Sequence, residues 1–203
     1  MSKNTISYPR NETNQLIALI DLDGTLCDYQ EMMSKRLLEL REPSDNPEDE
    51  LVEPPPQYIL NRRQKIMTSP GFWISLRPIF AGIQLANLLT ELKFDTYVLT
   101  KGPKNNPTAW SEKFEWCRIH VPHLKVIVSE NKSLVYGDVL VDDWLPYVTQ
   151  WQQRFVNGFV IIPRQPWNTK SHTLRNSIHY DGNNLKEIKE HLQSVKKSVQ
   201  GDF

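Results

Sequence analysis

The chain has 203 residues, with 24 Lys+Arg balanced by 24 Asp+Glu, a length that suits one domain with room for an inserted segment. Hydrophobic residues at 39% and charged residues at 24% exclude a disordered chain and fit an ordinary globular one. Neutral net charge gives no sign of an anionic-membrane or general nucleic-acid surface, and the longest apolar run, Leu16–Ile20, is too short to span a bilayer.

Only Cys27 and Cys117 are present, and the N-terminus lacks a signal-peptide pattern, so the expectation is a soluble cytoplasmic domain without disulfides. Residues 1–14 are polar and aperiodic and read as a frayed lead-in. Leu16 to Ile20 is a continuous apolar run of the kind that fills a strand buried on both faces. It ends at Asp21-Leu22-Asp23-Gly24-Thr25, where the chain must turn sharply. From Asp28 to Arg41 the apolar positions Met32, Met33, Leu37, Leu38 and Leu40 recur among charges at helical spacing. Residues 42–56 are acidic and rich in proline and read as a solvated loop, followed by a second short helix over 58–67.

Pro70-Gly71 marks a turn before the aromatic pair Phe72-Trp73. Beyond it, Ile79, Ile83, Leu85, Ala86, Leu89 and Leu92 predict a helix, with Pro78 in its first turn. Asp95–Thr100 reads as a buried strand, 108–120 as a helix, and 125–128 as a short strand. Residues 138–142 and 158–162 supply two more strands, and 183–198 form an amphipathic helix with Leu185, Ile188, Leu192 and Val195 on one side. Trp110, Trp116, Trp144 and Trp151 are expected to pack helices on the sheet. Strands alternating with helices imply crossovers and a mainly parallel sheet, while the span 28–75 breaks the alternation as a small helical insertion. In such a sheet a ligand binds beyond the carboxyl ends of the strands.

The residues just past those ends form a chemical set. They are Asp21 and Asp23 after the first strand, Thr100 after the second, Lys132 after the third, and Asp142 with Asp143 after the fourth. Each has an ordinary explanation alone: a turn, a strand cap, a solvated lysine, a helix cap. Four such coincidences at four successive strand ends are hard to accept. Carboxylates brought together repel unless a cation neutralises them, and Mg²⁺ with oxygen ligands is the simplest solution. Mg²⁺ plus a lysine creates a place for a phosphate.

Asp21-Leu22-Asp23-Gly24-Thr25-Leu26, Thr100, Lys132 and Gly137-Asp138-Val139-Leu140-Val141-Asp142-Asp143 resemble the four ordered motifs of the haloacid-dehalogenase-type phosphohydrolases. Within that superfamily, Pro70–Trp73, Leu76-Arg77-Pro78, Tyr97–Thr100 and Lys113-Phe114-Glu115-Trp116 are similar to the 5′(3′)-deoxyribonucleotidases. The resemblance implies an α/β fold with a Rossmann-like, mainly parallel core, residues 1–27 and 76–203, and a small helical cap, residues 28–75, inserted after the first strand. It implies a Mg²⁺-dependent phosphomonoesterase in which Asp21 attacks phosphorus and Asp23 is acid and then base. Asp21 and Asp142 would hold Mg²⁺ through carboxylates, with the backbone carbonyl of Asp23 as a third ligand and Asp143 orienting a water or Lys132. Thr100 and Lys132 would hold phosphate oxygens, Phe72 and Trp73 would stack on a nucleobase, and Lys101 would add a substrate contact. Thr100 is followed by Lys101-Gly102-Pro103, where those nucleotidases tend to carry Ser-Pro.

The expected partner is therefore a small phosphate ester, a nucleoside monophosphate first, with no membrane, no extended nucleic-acid surface, and a homodimer as the candidate assembly. The alternatives are another small phosphate ester, a nucleic-acid phosphate end, or a scaffold protein that kept the fold.

Overall fold

The computed structural model describes residues 15–52, 54–104, 106–169 and 174–200. The polar stretch 1–14, expected as a frayed lead-in, lies outside the described residues.

Five apolar runs and one polar one assemble into a six-stranded sheet. The strands are β1 (Ile17–Ile20), β2 (Asp95–Thr100), β3 (Lys125–Val128), β4 (Val139–Val141), β5 (Phe159–Pro163) and β6 (Ser177–Tyr180), in the order β3-β2-β1-β4-β5-β6. Every pairing is parallel. From β1 the chain first fills positions on one side, β2 and β3, and then crosses to fill β4, β5 and β6 on the other. That reversal puts a topological switch point between β1 and β4, where the loops part to leave a crevice.

Alternate residues of the strands feed two separate apolar layers, as a period of two requires. Ala18, Ile20, Val98, Val141 and Ile161 face α3 (Phe80–Glu91), α4 (Pro107–His120) and α6 (Leu185–Gln200), burying Leu85, Leu89, Trp116, Ile188 and Leu192 among them. Leu19, Leu99, Leu140, Val160 and Ile162 face the other way, against Val148, Trp151 and Phe155 at the end of α5 (Leu145–Arg154). The result is a three-layer α/β sandwich. Among the described residues, no helix is long and apolar enough to cross a membrane.

The segment between β1 and α3 carries α1 (Tyr29–Glu39), a short 3₁₀ turn over Pro47–Glu50, and α2 (Gln57–Thr68). Asp28 caps α1 by accepting from the Glu31 amide at 2.8 Å. The acidic loop 42–56 is more than a solvated excursion. Arg62 of α2 pairs with Asp45 and reaches Glu42 at 3.6 Å, Arg41 holds Glu50 at 2.7 Å, and the Tyr58 hydroxyl donates to Asp49 at 2.7 Å. Several of its acidic residues thus have basic and hydroxyl partners, Arg62 and Tyr58 on α2 and Arg41 just after α1, which composition alone does not disclose.

Three further expectations change. β6 was missing because Ser177-Ile178-His179-Tyr180 is a half-buried edge strand with one aliphatic residue and so shows no apolar run. Pro78 does not open α3; it bridges to Cys27, and the helix begins two residues later. Trp116 and Trp151 are buried under helices as expected, but Trp144 is 47% exposed and packs no helix on the sheet.

Candidate active site

The turn after β1 is built by one carbonyl and one glycine. The Leu22 carbonyl accepts from the amides of Leu26 and Cys27 at 2.8 and 2.9 Å, folding the chain back on itself. Gly24 sits at φ +81°, where a side chain is strained, and a Cβ there would lie 2.7 Å from an Asp143 carboxylate oxygen. The glycine therefore makes the turn and clears the space for Asp143. The Asp21 amide donates to the Val141 carbonyl at 2.8 Å, which locks this turn to the end of β4.

Four of the expected residues meet at that switch point. Lys132, in a 3₁₀ turn over Lys132–Leu134 that Asn131 caps, donates to Asp21 Oδ1 and, at 2.9 Å, to Asp142 Oδ2. Ligand oxygens of Asp21, Asp142 and Asp143 all lie within 4.8 Å of one another, and all three residues are buried. The second Asp142 oxygen accepts from the Trp144 amide at 2.9 Å. Asp143 is held from three sides: the Thr25 hydroxyl and the Trp167 indole N–H each donate to its carboxylate at 3.0 Å, and Asn168 donates to its carbonyl at 3.0 Å.

Thr100 and Asp23 occupy the neighbouring part of the rim, joined by a residue that the sequence reading quoted within Lys113–Trp116 but gave no role. Lys113 of α4, 1% exposed, donates to Asp23 Oδ2 and to the Lys101 carbonyl at 2.7 Å, and lies 3.5 Å from the buried Thr100 hydroxyl. A signal was available: Lys113 falls on the face of α4 that buries Ala109, Trp116 and Cys117, and a lysine on an apolar stripe requires a partner. Thr25, Gln165, Trp167 and Asn168 were also missed; Gln165 donates to the Gly24 carbonyl at 2.6 Å. No short-range pattern marks the last three, whereas Thr25 stands inside the quoted Asp21–Leu26 motif without a role.

Trp73 lies beside Lys113 at the rim, with Phe72 packed edge-on against it. Both are 4% exposed, and Trp73 is stacked against Tyr29 with ring centres 5.5 Å apart while Lys113 lies 4.1 Å from its ring centre. The Trp73 indole donates to the Met67 carbonyl, and the amides of Gly71 and Trp73 donate to Glu112. The pair is thus packed against Tyr29 and tied to Met67 and Glu112. The Lys101 ammonium instead lies 5.4 Å from the ring centre of Tyr147, which also underlies Lys132 at 5.1 Å.

The electrostatics follow from burial. Desolvation pushes the Asp21 carboxyl well above the usual carboxylate range, Lys132 opposes this, and Asp142 and Asp143 add to it. Asp143 is pushed up to about 7, first by burial and then by Asp142, with Thr25, Lys132 and Trp167 pulling the other way. Burial works against the Lys132 ammonium, but Asp142 and Asp21 outweigh it and hold the lysine charged. Burial and Asp23 raise the Cys27 thiol well above its usual value and the Cys117 thiol to about 12, so neither is a nucleophile at neutral pH.

Three buried carboxylates share one ammonium, leaving a surplus of negative charge in a small space. Hard oxygen donors with that surplus fit a divalent cation of the Mg²⁺ type.

A parallel α/β sheet with an acidic rim at its switch point is an architecture found among solved haloacid dehalogenase-like hydrolases. Two solved structures share it: a haloacid dehalogenase-like hydrolase from Burkholderia xenovorans LB400 (TM-score 0.55, 17% identity, covering 88% of this chain and 98% of that one) and the HAD-hydrolase YfnB of Bacillus subtilis bound to magnesium (0.56, 15%, 87% and 99%). The sequence is more particular. Residues 15–191 match the family of 5′ nucleotidase, deoxy (pyrimidine), cytosolic type C proteins, and the chain belongs to that family. Among curated proteins it is similar to one described as a 5′(3′)-deoxyribonucleotidase in Vibrio phage KVP40 (24% identity over 135 residues, 65% of this chain and 68% of that one) and to one so described in Bordetella bronchiseptica (26% over 138 residues, 63% and 74%). The protein is thus a phosphatase of the nucleotidase class.

Proposed function

We propose that the protein releases phosphate from (deoxy)nucleoside monophosphates through an aspartyl-phosphate on Asp21. One observation carries the reading: a carboxylate buried at the carboxyl end of β1, bonded to a buried lysine and set against two further carboxylates at the switch point. Asp21 attacks phosphorus, the phosphorus–ester oxygen bond breaks, and Asp23 gives a proton to the leaving nucleoside oxygen. Water then attacks the phosphorus of the acyl phosphate, Asp23 takes the water's proton, and inorganic phosphate departs as the Asp21 carboxylate is restored. Thr100 and Lys132 hold the non-bridging oxygens, and Lys132 offsets the charge that builds on them.

Asp21, Asp142 and the Asp23 carbonyl would hold Mg²⁺, with Asp143 fixing the surroundings from its Thr25 and Trp167 bonds. Bound there, the ion supplies charge neutralisation between the entering phosphate and the attacking carboxylate. We assign residues 28–75 as a small helical cap over a core of 1–27 and 76–203. A reducing compartment, the cytoplasm, suits two cysteines that are free and buried.

The test is phosphate release with Mg²⁺ over deoxy- and ribonucleoside 5′- and 3′-monophosphates and sugar phosphates, beside Asp21→Asn. Deoxynucleotide turnover that falls to background in Asp21→Asn is the expected result. Turnover confined to sugar phosphates would keep Asp21 and discard the nucleotide. Turnover that survives Asp21→Asn would discard the acyl phosphate.

A further inference from the structure

Lys113 is the one buried ammonium at the rim to which the reaction gives no task. Placing a charged lysine on the apolar face of α4 is costly unless each of its donors is used. Here they are used across three separate segments of chain. The ammonium meets Asp23 Oδ2 in the turn after β1, the Lys101 carbonyl at 2.7 Å and the Thr100 hydroxyl at 3.5 Å at the end of β2, and the Trp73 ring at 4.1 Å in the stretch returning from the inserted helices. Ammonium over an indole face is itself attractive.

Asp23 differs from the other carboxylates of the rim. Its side chain keeps 27% of its surface exposed, against 7% for Asp21 and none for Asp142. It lies outside the trio whose oxygens converge for a cation. Apart from Lys113, the only side chain bonded to it among the described residues is the Cys27 thiol, a weak donor, 3.8 Å from Oδ1. A half-open carboxylate beside a glycine turn has several rotamers available, and an acid–base group loses its effect when its oxygen strays from the reacting atom.

We propose that Lys113 is a positioning residue: it clamps Asp23 by Oδ2 and leaves Oδ1 as the oxygen that exchanges the proton with the leaving group. This rests on the reading of Asp23 as the acid and base of a phosphatase. The anchor is itself fixed by Trp73, Thr100 and the Lys101 carbonyl, so the seam between inserted helices and core sets where Asp23 points.

The role predicts a dependence on the leaving group. A nucleoside oxygen is a poor leaving group and needs its proton as the bond breaks, whereas p-nitrophenolate leaves without one. Comparing kcat/KM isolates the steps up to phosphoryl transfer, before water and the base function enter. Lys113→Met should lose on the order of 10²-fold in kcat/KM on a nucleoside monophosphate and less than about tenfold on p-nitrophenyl phosphate, with KM nearly unchanged. Lys113→Arg, which keeps a charged donor, should recover part of the nucleoside loss. If Lys113→Met does not fold, judged by circular dichroism, the same two-ester comparison on Lys113→Arg decides, with the larger loss again expected on the nucleoside ester. Equal losses on both esters, or none, would overturn the positioning role while Asp21→Asn still reports on the phosphatase reading. An unaltered protein that hydrolyses neither ester would overturn both.

Discussion

Two buried lysines face this rim, and their charge environments are opposite. Lys132 is bonded to two carboxylates, with a third within reach of both. Lys113 is bonded to one carboxylate and one carbonyl, under an indole. Around Lys113 the charges balance, and an ammonium so placed is suited to hold its partner still. Around Lys132 they do not, and burial raises the price of every unpaired charge. The unbalanced half is where a cation and a phosphate have reason to meet; the balanced half is where a proton donor can be kept in register.

Substitution of Lys132 is the strongest way to break this comparison. Lys132→Ala should leave a folded protein with activity reduced on the order of 10²–10³-fold, because an electrostatic donor is lost from the developing charge. The loss should be similar for nucleoside and p-nitrophenyl esters, since the phosphoryl group is common to both. A near wild-type rate would remove Lys132 from the reaction, and a loss confined to the nucleoside ester would make the two lysines equivalent.

How much of this was readable beforehand depended on the range of the interaction. Asp21, Thr100 and Asp142 each follow or close an apolar run and so announce themselves locally, while Lys132, four residues past one, is legible only as part of the set. Lys113 binds a residue 90 positions away, and its role emerges only when α4 packs beside the turn after β1. Trp167 meets Asp143 across 24 positions for the same reason. Phe72 and Trp73 were legible as important but not as to why: aromatic side chains after a turn suit a base or a core equally, and in the structure both are 4% exposed beside Tyr29. β6 escaped because an edge strand needs only one buried side.

A second, smaller effect sharpens the comparison through proton linkage. Asp143 has its folded value raised to about 7 and Asp21 is raised as well, against about 3.9 for an unfolded aspartate. A carboxyl raised on folding contributes stability below its unfolded value and loses that contribution as the pH rises through its folded one. The chelated protein should therefore melt lower at pH 8 than at pH 5.5. Added Mg²⁺ should raise the melting temperature more at pH 8, since the ion binds the deprotonated cluster. Lys113→Met should keep that Mg²⁺ shift, and Asp142→Asn should lose it. A shift that Lys113→Met abolishes would mean the two halves are one site.

The smallest expected effect concerns the back of the charged half. Trp167 gives its indole N–H to Asp143 at 3.0 Å and is 39% exposed. Trp167→Phe keeps an aromatic ring and removes that donor, leaving Asp143 to Thr25 and to its backbone. A hydrogen bond to a charged acceptor is worth about 1.5–3 kcal/mol when buried, and partial exposure lowers this toward about 1 kcal/mol. The expectation is a loss of about fivefold in kcat/KM on nucleoside and p-nitrophenyl esters alike. Such a result would keep Trp167 behind Asp143, as a support for the carboxylate. A hundredfold loss on the nucleoside ester alone would place the indole against the substrate, and the base-stacking role first sought at Phe72 and Trp73 would then belong on the opposite side of the crevice.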